Sequence, residues 1–304
     1  MEIVAENRVG RRIHKHIRSL AVPRFVGSAG EYEARRYIVE EFQNARYNVE
    51  ERPFTASFFP LEILPRLIPA ITVMVLVMGF FALPVVPLFS VEAGVLVLLL
   101  LFLSSRWHRS AERMYRFRSF GTLRSKNILA SHPEDTNLLT IVFTAHYDSK
   151  SQNWSGPVRT LLFGSLACTA AFTSLLLIVC AIVPLPRQVL LPGVFLSTLL
   201  FLPCLATTSG NESPGAYDNA SGVALLLELA RSFAGESPAV NLHFIATGGE
   251  EAGLCGAVAL VNDPSFRQVC PPARTIIVNL DGIGSKGPLR ITDRFGIPPV
   301  RTGP

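Results

Sequence analysis

The chain has 304 residues, which is enough to bury a large core in one or two domains. Hydrophobic residues make up 49% of it and charged residues 17%, and the mean hydropathy is +0.36, so it is not an ordinary soluble protein and must contain long apolar segments. The formal charge is +5, but many basic residues flank those segments, which argues against a nucleic-acid partner. The five cysteines show no CxxC pair or disulfide-type spacing, so nothing in the sequence requires an oxidising compartment.

The N-terminal part has the pattern of a soluble α/β domain. Gly30 to Ala45 places apolar residues among charges at helical spacing, which predicts an amphipathic helix. Asn48 to Phe54 then predicts a strand. Further along, strands are expected at Asn127 to Ala130 and Leu138 to Ala145.

Two pairs of apolar segments interrupt this pattern. The first pair runs from Leu67 to about Phe89 and from Val91 to Leu103, where the second segment is short for a span unless it begins near Val85. The second pair runs from Val158 to Val183 and from Val189 to Ala206. A transmembrane helix needs about 20 apolar residues, so we predict four spans in two hairpins. The expected organisation is a soluble domain in three pieces, 1–65, 105–157 and 208–304, with hairpins at 66–104 and 158–207.

The distribution of basic residues predicts an orientation. A hairpin returns the chain to the side that it left, so the three soluble pieces share one face. Positive charge concentrates in those pieces, whereas the turn at Pro84 to Glu92 has no basic residue and the turn at Pro184 to Gln188 has only Arg187. The positive-inside rule therefore puts the soluble domain on the cytoplasmic face of a lipid bilayer. The basic residues on which this orientation depends lie in the first two soluble pieces: Arg11, Arg12, Lys15, Arg18, Arg106, Arg109, Arg113, Arg116, Arg118, Arg124 and Lys126.

The first segment with candidate metal-binding or catalytic residues directly follows the strand that is predicted to end at Ala145. Residues two apart in an extended chain point the same way, so His146 and Asp148 can meet on one side. A carboxylate behind an imidazole is the usual support of a metal-binding histidine. An H-x-D pair is also common by chance, so this motif is weak alone.

Three further acidic segments follow predicted strands or open a predicted helix. Asp218 lies in GAYDNASG before the apolar helix Val223 to Phe233, where it could simply cap the helix. Glu250 and Glu251 lie in GGEEAG after the strand Val240 to Ile245, where a solvated loop is the alternative. Asp281 follows the strand Thr275 to Leu280. Open α/β sheets place ligand sites at this strand edge, and one His with several carboxylates suits Zn²⁺.

Together these motifs resemble a known family. The order HxD, GAYDNASG, GGEEAGL and NLDGIG is similar to the co-catalytic zinc aminopeptidases and carboxypeptidases, family 28 of the metallopeptidases. VGSAGEYEARRYI also looks like the opening helix of that family. The resemblance covers the soluble pieces from about Arg24 to Gly284. It implies a zinc-exopeptidase-like α/β fold with a mixed, mostly parallel sheet, flanking helices and peptide substrates.

The resemblance also implies a role for each matching residue. His146 and Asp281 would bind one zinc, Asp218 would bridge two zincs, and Glu251 would bind the second. Glu250 would be the general base, Asp148 would support His146, and the peptide bond after Asp218 would be cis. Tyr217 stands where many members carry a second acid.

The family's last ligand, a histidine beyond Asp281, has no counterpart up to Pro304. His243 lies in a predicted buried strand and is expected to be a core residue, while His14, His16, His108 and His132 fit no motif. We therefore expect one fully liganded zinc and doubtful activity for this chain. The alternatives are an inactive remnant, a hydrolase or cyclase acting on a non-peptide amide, or a transporter. Glu92 is the main ionisable residue in the spans, which disfavours the transporter.

Overall fold

The computed structural model places most of the chain in regular elements. It describes residues 2–57, 59–107, 115, 119, 121–132, 138–183, 185–236, 238–284, 290, 292, 294–295 and 300–301. Five residues named in the sequence analysis lie outside these ranges: His108, Arg109, Arg113, Arg116 and Arg118.

The chain divides into two compact units. The first comprises residues 1–57, 115–151 and 210–304, and the second comprises 58–114 and 152–209. The elements of the first unit, in chain order, are α1 (Glu2–Leu20), α2 (Ala29–Asn44), β1 (Asn48–Ser57), β2 (Thr122–Ser131), β3 (Thr140–His146), α7 (Ser221–Phe233), β6 (Asn241–Thr247), α8 (Cys255–Val261), α9 (Pro264–Val269), β7 (Thr275–Asn279), β8 (Arg294–Phe295) and β9 (Val300–Arg301). Those of the second are α3 (Leu64–Ala82), α4 (Pro87–Trp107), α5 (Gly156–Ile182) and α6 (Leu191–Leu205), while the short strands β4 (Ser151–Gln152) and β5 (Ser209–Gly210) stand where the chain passes between the units.

A five-stranded sheet of order β1-β2-β6-β3-β7 organises the first unit. β2 pairs antiparallel with β1 and β6, whereas β3 pairs parallel with β6 and β7. The predicted mixed sheet is confirmed, with two parallel and two antiparallel pairings in the described residues. Because β3, β6 and β7 run in one direction, their carboxyl ends meet at one edge of the sheet.

Helices α2 and α7 cover one face of this sheet. Ser28 caps α2 by accepting from the Glu31 amide, and the buried side chains Ile38 and Phe42, four residues apart, face the sheet. From α7, Val223 and Leu226 enter the same core, so the predicted amphipathic helix and the predicted apolar helix both form. Burying one such side chain contributes about 1.5–3 kcal/mol.

The second unit contains four helical segments that are long and apolar enough to cross a membrane, among the residues that the structure describes. They run Phe59–Ala82, Pro87–Ser105, Gly156–Ile182 and Arg187–Leu205. The predicted end of the first segment near Phe89 was wrong, because α3 ends at Ala82. The second segment, α4, begins at Pro87, earlier than Val91 and close to the alternative start near Val85. Proline favours the first turn of a helix, so Pro87 opens α4 instead of closing α3.

Small residues let these helices approach closely. A Cβ on Gly79 would lie 2.7 Å from Leu177, and one on Gly94 would lie 2.7 Å from Ile178. Ser90 donates to the Gly79 carbonyl at 2.8 Å. Close packing through glycine is the usual way in which apolar helices associate within lipid. Large apolar side chains on the outer faces remain exposed, among them Met74, Phe81, Leu99, Phe172 and Phe195.

Candidate metal centre

The candidate site lies where β3, β6 and β7 end. The register aligns Ala145 with Ala246, His146 with Thr247, and Thr144 with Asn279. The residues directly after these strands therefore converge on one edge of the sheet. They carry Asp148, Glu250, Glu251 and Asp281.

His146 is buried, and its two ring nitrogens face different groups. Nε2 points to Asp218 Oδ1 at 3.1 Å and to Asp281 Oδ1 at 3.7 Å, while Nδ1 faces Asp148 Oδ1 at 3.6 Å. Burial lowers the pKa of His146, but hydrogen bonds to the three aspartates outweigh it and raise that pKa to about 12. The surrounding negative charge therefore favours a cation at this position.

Asp148 is completely buried and connects two segments of the site. Its Oδ1 accepts from the Glu250 amide at 3.0 Å, and its Oδ2 accepts from the Glu251 amide at 3.0 Å. The carboxylate thus fixes the turn after β6 and also faces the His146 ring. The alternation of side chains along the extended chain predicted that Asp148 faces His146, but it did not predict the hydrogen bonds to the turn after β6.

Asp218 lies in a tight turn just before α7. Gly215 begins this turn with a φ of +52°, and the Asp218–Asn219 peptide bond is cis, as the resemblance implied. Asn219 is fully buried, donates to the Leu280 carbonyl at 2.8 Å and accepts from the Gly222 amide at 3.0 Å. Asn219 therefore joins the Asp218 turn to the segment that carries Asp281. Sequence reasoning missed this role, for which the burial of an Asn beside a candidate ligand is the signal.

Glu250 and Glu251 point to different partners. Glu250 Oε2 lies 4.0 Å from His146 Nε2, and its side chain is 35% exposed. Burial raises the pKa of Glu250 to about 7; His146 opposes this, and Glu251, Asp148 and Asp281 add to it. Glu251 Oε2 instead contacts Lys150 Nζ at 2.7 Å. Lys150 is a second residue that the motifs did not reveal.

The described residues contain one group of side chains arranged to hold a metal ion, namely His146, Asp218 and Asp281. Their ligand atoms lie within 4.8 Å of one another. Zinc binds nitrogen and oxygen at about 2.0–2.2 Å with tetrahedral geometry, which separates two ligand atoms by about 3.4 Å. The observed 3.1 Å and 3.7 Å lie on either side of that separation. The three residues therefore fit a zinc ion. Glu251 lies outside this group.

A cavity of about 210 Å³ opens beside the group. Leu254, Ala257 and the Thr144 and Thr247 side chains form part of its wall, and His146, Glu250 and Asp281 lie on the polar side. Pockets for drug-sized ligands are usually about 300–1,000 Å³, so this one suits a smaller group.

The remaining histidines do not join this site in the described residues. His243 is buried within β6, as predicted for a core residue, and burial together with the charge of Arg52 lowers its pKa to about 4. His16 contacts Tyr37 and Glu228, and His132 stacks on Tyr47.

Residues 193–298 match the model of peptidase family M28. This match includes Asp218, Glu250, Glu251 and Asp281. The similarity to family 28 of the metallopeptidases that the motifs indicated is thereby confirmed for this part of the chain, which is about a third of its length.

Proteins with sequences similar to part of this chain carry the names of peptidases. A probable zinc metalloprotease of Pyrenophora teres f. teres is 45% identical over 74 residues, which are 24% of this chain and 15% of that protein. Aminopeptidase YwaD of Bacillus subtilis is 37% identical over 73 residues, which are 24% of this chain and 16% of that protein. The matches thus span about one sixth of these relatives' length. Among solved structures, an aminopeptidase from Aneurinibacillus sp. strain AM-1 has 16% identity and a TM-score of 0.44, with 91% of this chain and 71% of that chain covered.

Proposed function

We propose that this chain is a membrane-anchored zinc peptidase that removes single residues from a peptide end, in the manner of an aminopeptidase. The observation that carries the proposal is the grouping of His146, Asp218 and Asp281 at the carboxyl edge of the sheet, next to a partly buried Glu250. The match of residues 193–298 to the model of peptidase family M28 supports peptide-bond hydrolysis.

His146, Asp218 and Asp281 would hold a zinc ion. When bound, zinc polarises a scissile carbonyl and lowers the pKa of water. Asp148 supports the imidazole of His146 from behind, with its main-chain carbonyl 3.2 Å and its carboxylate 3.6 Å from Nδ1, and the negative charge of the two ligand carboxylates would balance the cation. By the family's pattern, Glu251 would contribute to a second zinc, although here it pairs with Lys150.

Glu250 is placed to move the proton that hydrolysis requires. A carboxylate with a pKa near the working pH can accept a proton from the attacking water and return it to the departing amine as the C–N bond breaks. Its backbone amide is fixed by Asp148, and its side chain lines the cavity. The small volume of that cavity favours one terminal side chain over an extended peptide.

The experiment uses the full chain, purified in detergent, with short peptides analysed by mass spectrometry. We expect release of single terminal residues that stops after zinc is removed by a chelator and returns when zinc is added. Glu250→Gln should lower kcat by about 10²–10⁴-fold, since that is the usual contribution of a general base, and should leave zinc binding intact. Glu33→Gln, an exposed glutamate on α2, is the matched control. Undiminished turnover in Glu250→Gln, or cyclisation of N-terminal glutamine without hydrolysis, would contradict the proposal.

Membrane anchoring is supported by four apolar helical segments with exposed outer side chains. The soluble domain is proposed to face the cytoplasm, because basic residues concentrate in its three pieces whereas the turn at Pro184 to Gln188 has only Arg187. The chain should therefore stay in the membrane fraction after alkaline carbonate washing. A cysteine introduced at Gln188 should react with an impermeant maleimide only from the non-cytoplasmic side, whereas labelling from the cytoplasm would overturn the orientation.

A further inference from the structure

Arg24 is fully buried, and its side chain donates only to backbone carbonyls in the contacts that the structure describes. Nε donates to the Tyr147 carbonyl at 2.6 Å, and Nη2 donates to the Gly215 carbonyl at 2.8 Å. Nη1 donates to the carbonyls of Leu20 at 2.7 Å, Val22 at 3.1 Å and Pro214 at 2.5 Å. Each of the three guanidinium nitrogens thus has at least one carbonyl partner, which makes the burial of this charge tolerable.

The carbonyls bound by Arg24 belong to two segments of the metal centre. Tyr147 lies between His146 and Asp148, and Gly215 lies three residues before Asp218. Residues 152–209, which form about half of the second unit, separate these segments along the chain. Contacts between the two segments therefore set the position of His146 relative to Asp218, and the hydrogen bonds of Arg24 stand among them beside the pairing of β4 with β5.

The main chain of Arg24 strengthens the same bridge. Its amide donates to Ser149 Oγ at 3.2 Å, and its carbonyl accepts from the Ser149 amide at 3.2 Å. Ser149 Oγ in turn donates to the Ser213 carbonyl at 2.9 Å. One residue from the N-terminal piece thus links the end of β3 to the start of the Asp218 turn through both its backbone and its side chain.

The Gly215 carbonyl is shared between Arg24 and the turn itself. It also accepts from the Ala220 amide at 3.0 Å, which closes the turn around Asp218. A Cβ at Gly215 would lie 2.6 Å from the Ser149 side chain and 3.0 Å from Arg24 Nη2, so the two segments pack tightly. A shift of the guanidinium would therefore be transmitted to the peptide units on either side of Asp218.

We propose that Arg24 is a positioning residue of the metal centre, which holds the Asp218 turn against the His146 segment without touching the metal or the substrate. This inference concerns the same site as the proposed function and rests on it for the identity of the metal. Lysine cannot replace Arg24, because an ammonium has three donors around one atom whereas the guanidinium reaches five carbonyls along a planar fork.

The first test measures the zinc affinity of the full chain by competition with a chelator. Arg24→Lys should weaken zinc binding by about 10- to 100-fold, as changes to residues that orient ligands usually do. The loss should nearly vanish in the Asp218→Asn background, because the two changes then act on the same ligand. Tyr47→Phe, which removes a buried hydrogen bond to the Ala230 carbonyl away from the site, is the control and should leave zinc affinity unchanged. A full, additive loss in the Asp218→Asn background would overturn the proposal.

The second test needs neither zinc nor activity, so it separates this inference from the proposed function. Hydrogen–deuterium exchange of the amides in 146–150 and 213–221 should rise together at least several-fold in Arg24→Lys and remain unchanged in Tyr47→Phe. Ser149→Ala gives a milder version of the same change if Arg24→Lys does not fold. Unaltered exchange in both segments would refute the role of Arg24, even in a protein that binds zinc and cleaves peptides.

Discussion

Replacing Asp148 by asparagine tests how the fold organises the metal centre. The substitution keeps the shape of the side chain but removes its charge and turns one acceptor into a donor. Asp148 accepts from the amides of Glu250 and Glu251, each at 3.0 Å, and faces His146 Nδ1 at 3.6 Å. An asparagine can satisfy only one of the two amides, so the other is left buried beside an NH₂ group.

The expected decrease in the free energy of unfolding follows from the loss of this hydrogen bond. A buried donor without a partner costs about 1–3 kcal/mol, and a hydrogen bond to a charged group contributes about 1.5–3 kcal/mol. We therefore expect Asp148→Asn to lower the free energy of unfolding by about 1–3 kcal/mol. Loss of the support behind His146 should weaken zinc binding by about 10- to 100-fold as well.

The assay combines thermal unfolding of the zinc-free full chain with a zinc titration. Glu33→Gln is the control, because Glu33 is an exposed residue of α2. Both quantities should change in Asp148→Asn and neither in Glu33→Gln. Unchanged zinc affinity in a destabilised Asp148→Asn protein would refute the idea that Asp148 orients the ligand.

Three further predictions concern metal binding, pH and packing. Free zinc at about 100 times its dissociation constant should raise the free energy of unfolding by about 2.7 kcal/mol, and His146→Asn should abolish this gain in a thermal-shift titration. The pKa of His243 is about 4 in the folded protein, whereas its ordinary value is 6.5, so the unfolded chain binds the proton more tightly. The free energy of unfolding should therefore decrease as the pH falls from 6.5 towards 4, by on the order of 3 kcal/mol. His243→Leu should flatten the pH dependence of the unfolding midpoint over that interval, and an unchanged slope would contradict the assignment. Gly256→Ala should destabilise the chain by at least about 1–3 kcal/mol, because its Cβ would lie 2.0 Å from the Gly248 carbonyl, whereas Gly10→Ala meets nothing within 4 Å and should not.

Local patterns were sufficient for most elements near the site. Alternation along the strand placed His146 and Asp148 on one side, and helical spacing predicted α2 and α7. The expectation that His243 belongs to the core is likewise confirmed by its burial in β6. These features depend on residues close in sequence, which is why sequence alone could identify them.

What the sequence could not provide are contacts between distant segments. The hydrogen bonds from the Glu250 and Glu251 amides to Asp148 depend on the parallel register of β3 and β6. The pairing of Lys150 with Glu251 and the link from Asn219 to Leu280 have the same character. The end of α3 was misplaced because an apolar run does not show where one helix stops and the next begins. Proline position decided that boundary.

We propose above all that His146, Asp218 and Asp281 form a zinc site. An anomalous difference map, recorded at the zinc absorption edge from crystals of the full chain grown with zinc, is the direct test of this proposal. We expect a peak within about 2.0–2.2 Å of His146 Nε2 and of an oxygen from each aspartate. A zinc peak at other residues, with no peak at these three, would contradict it.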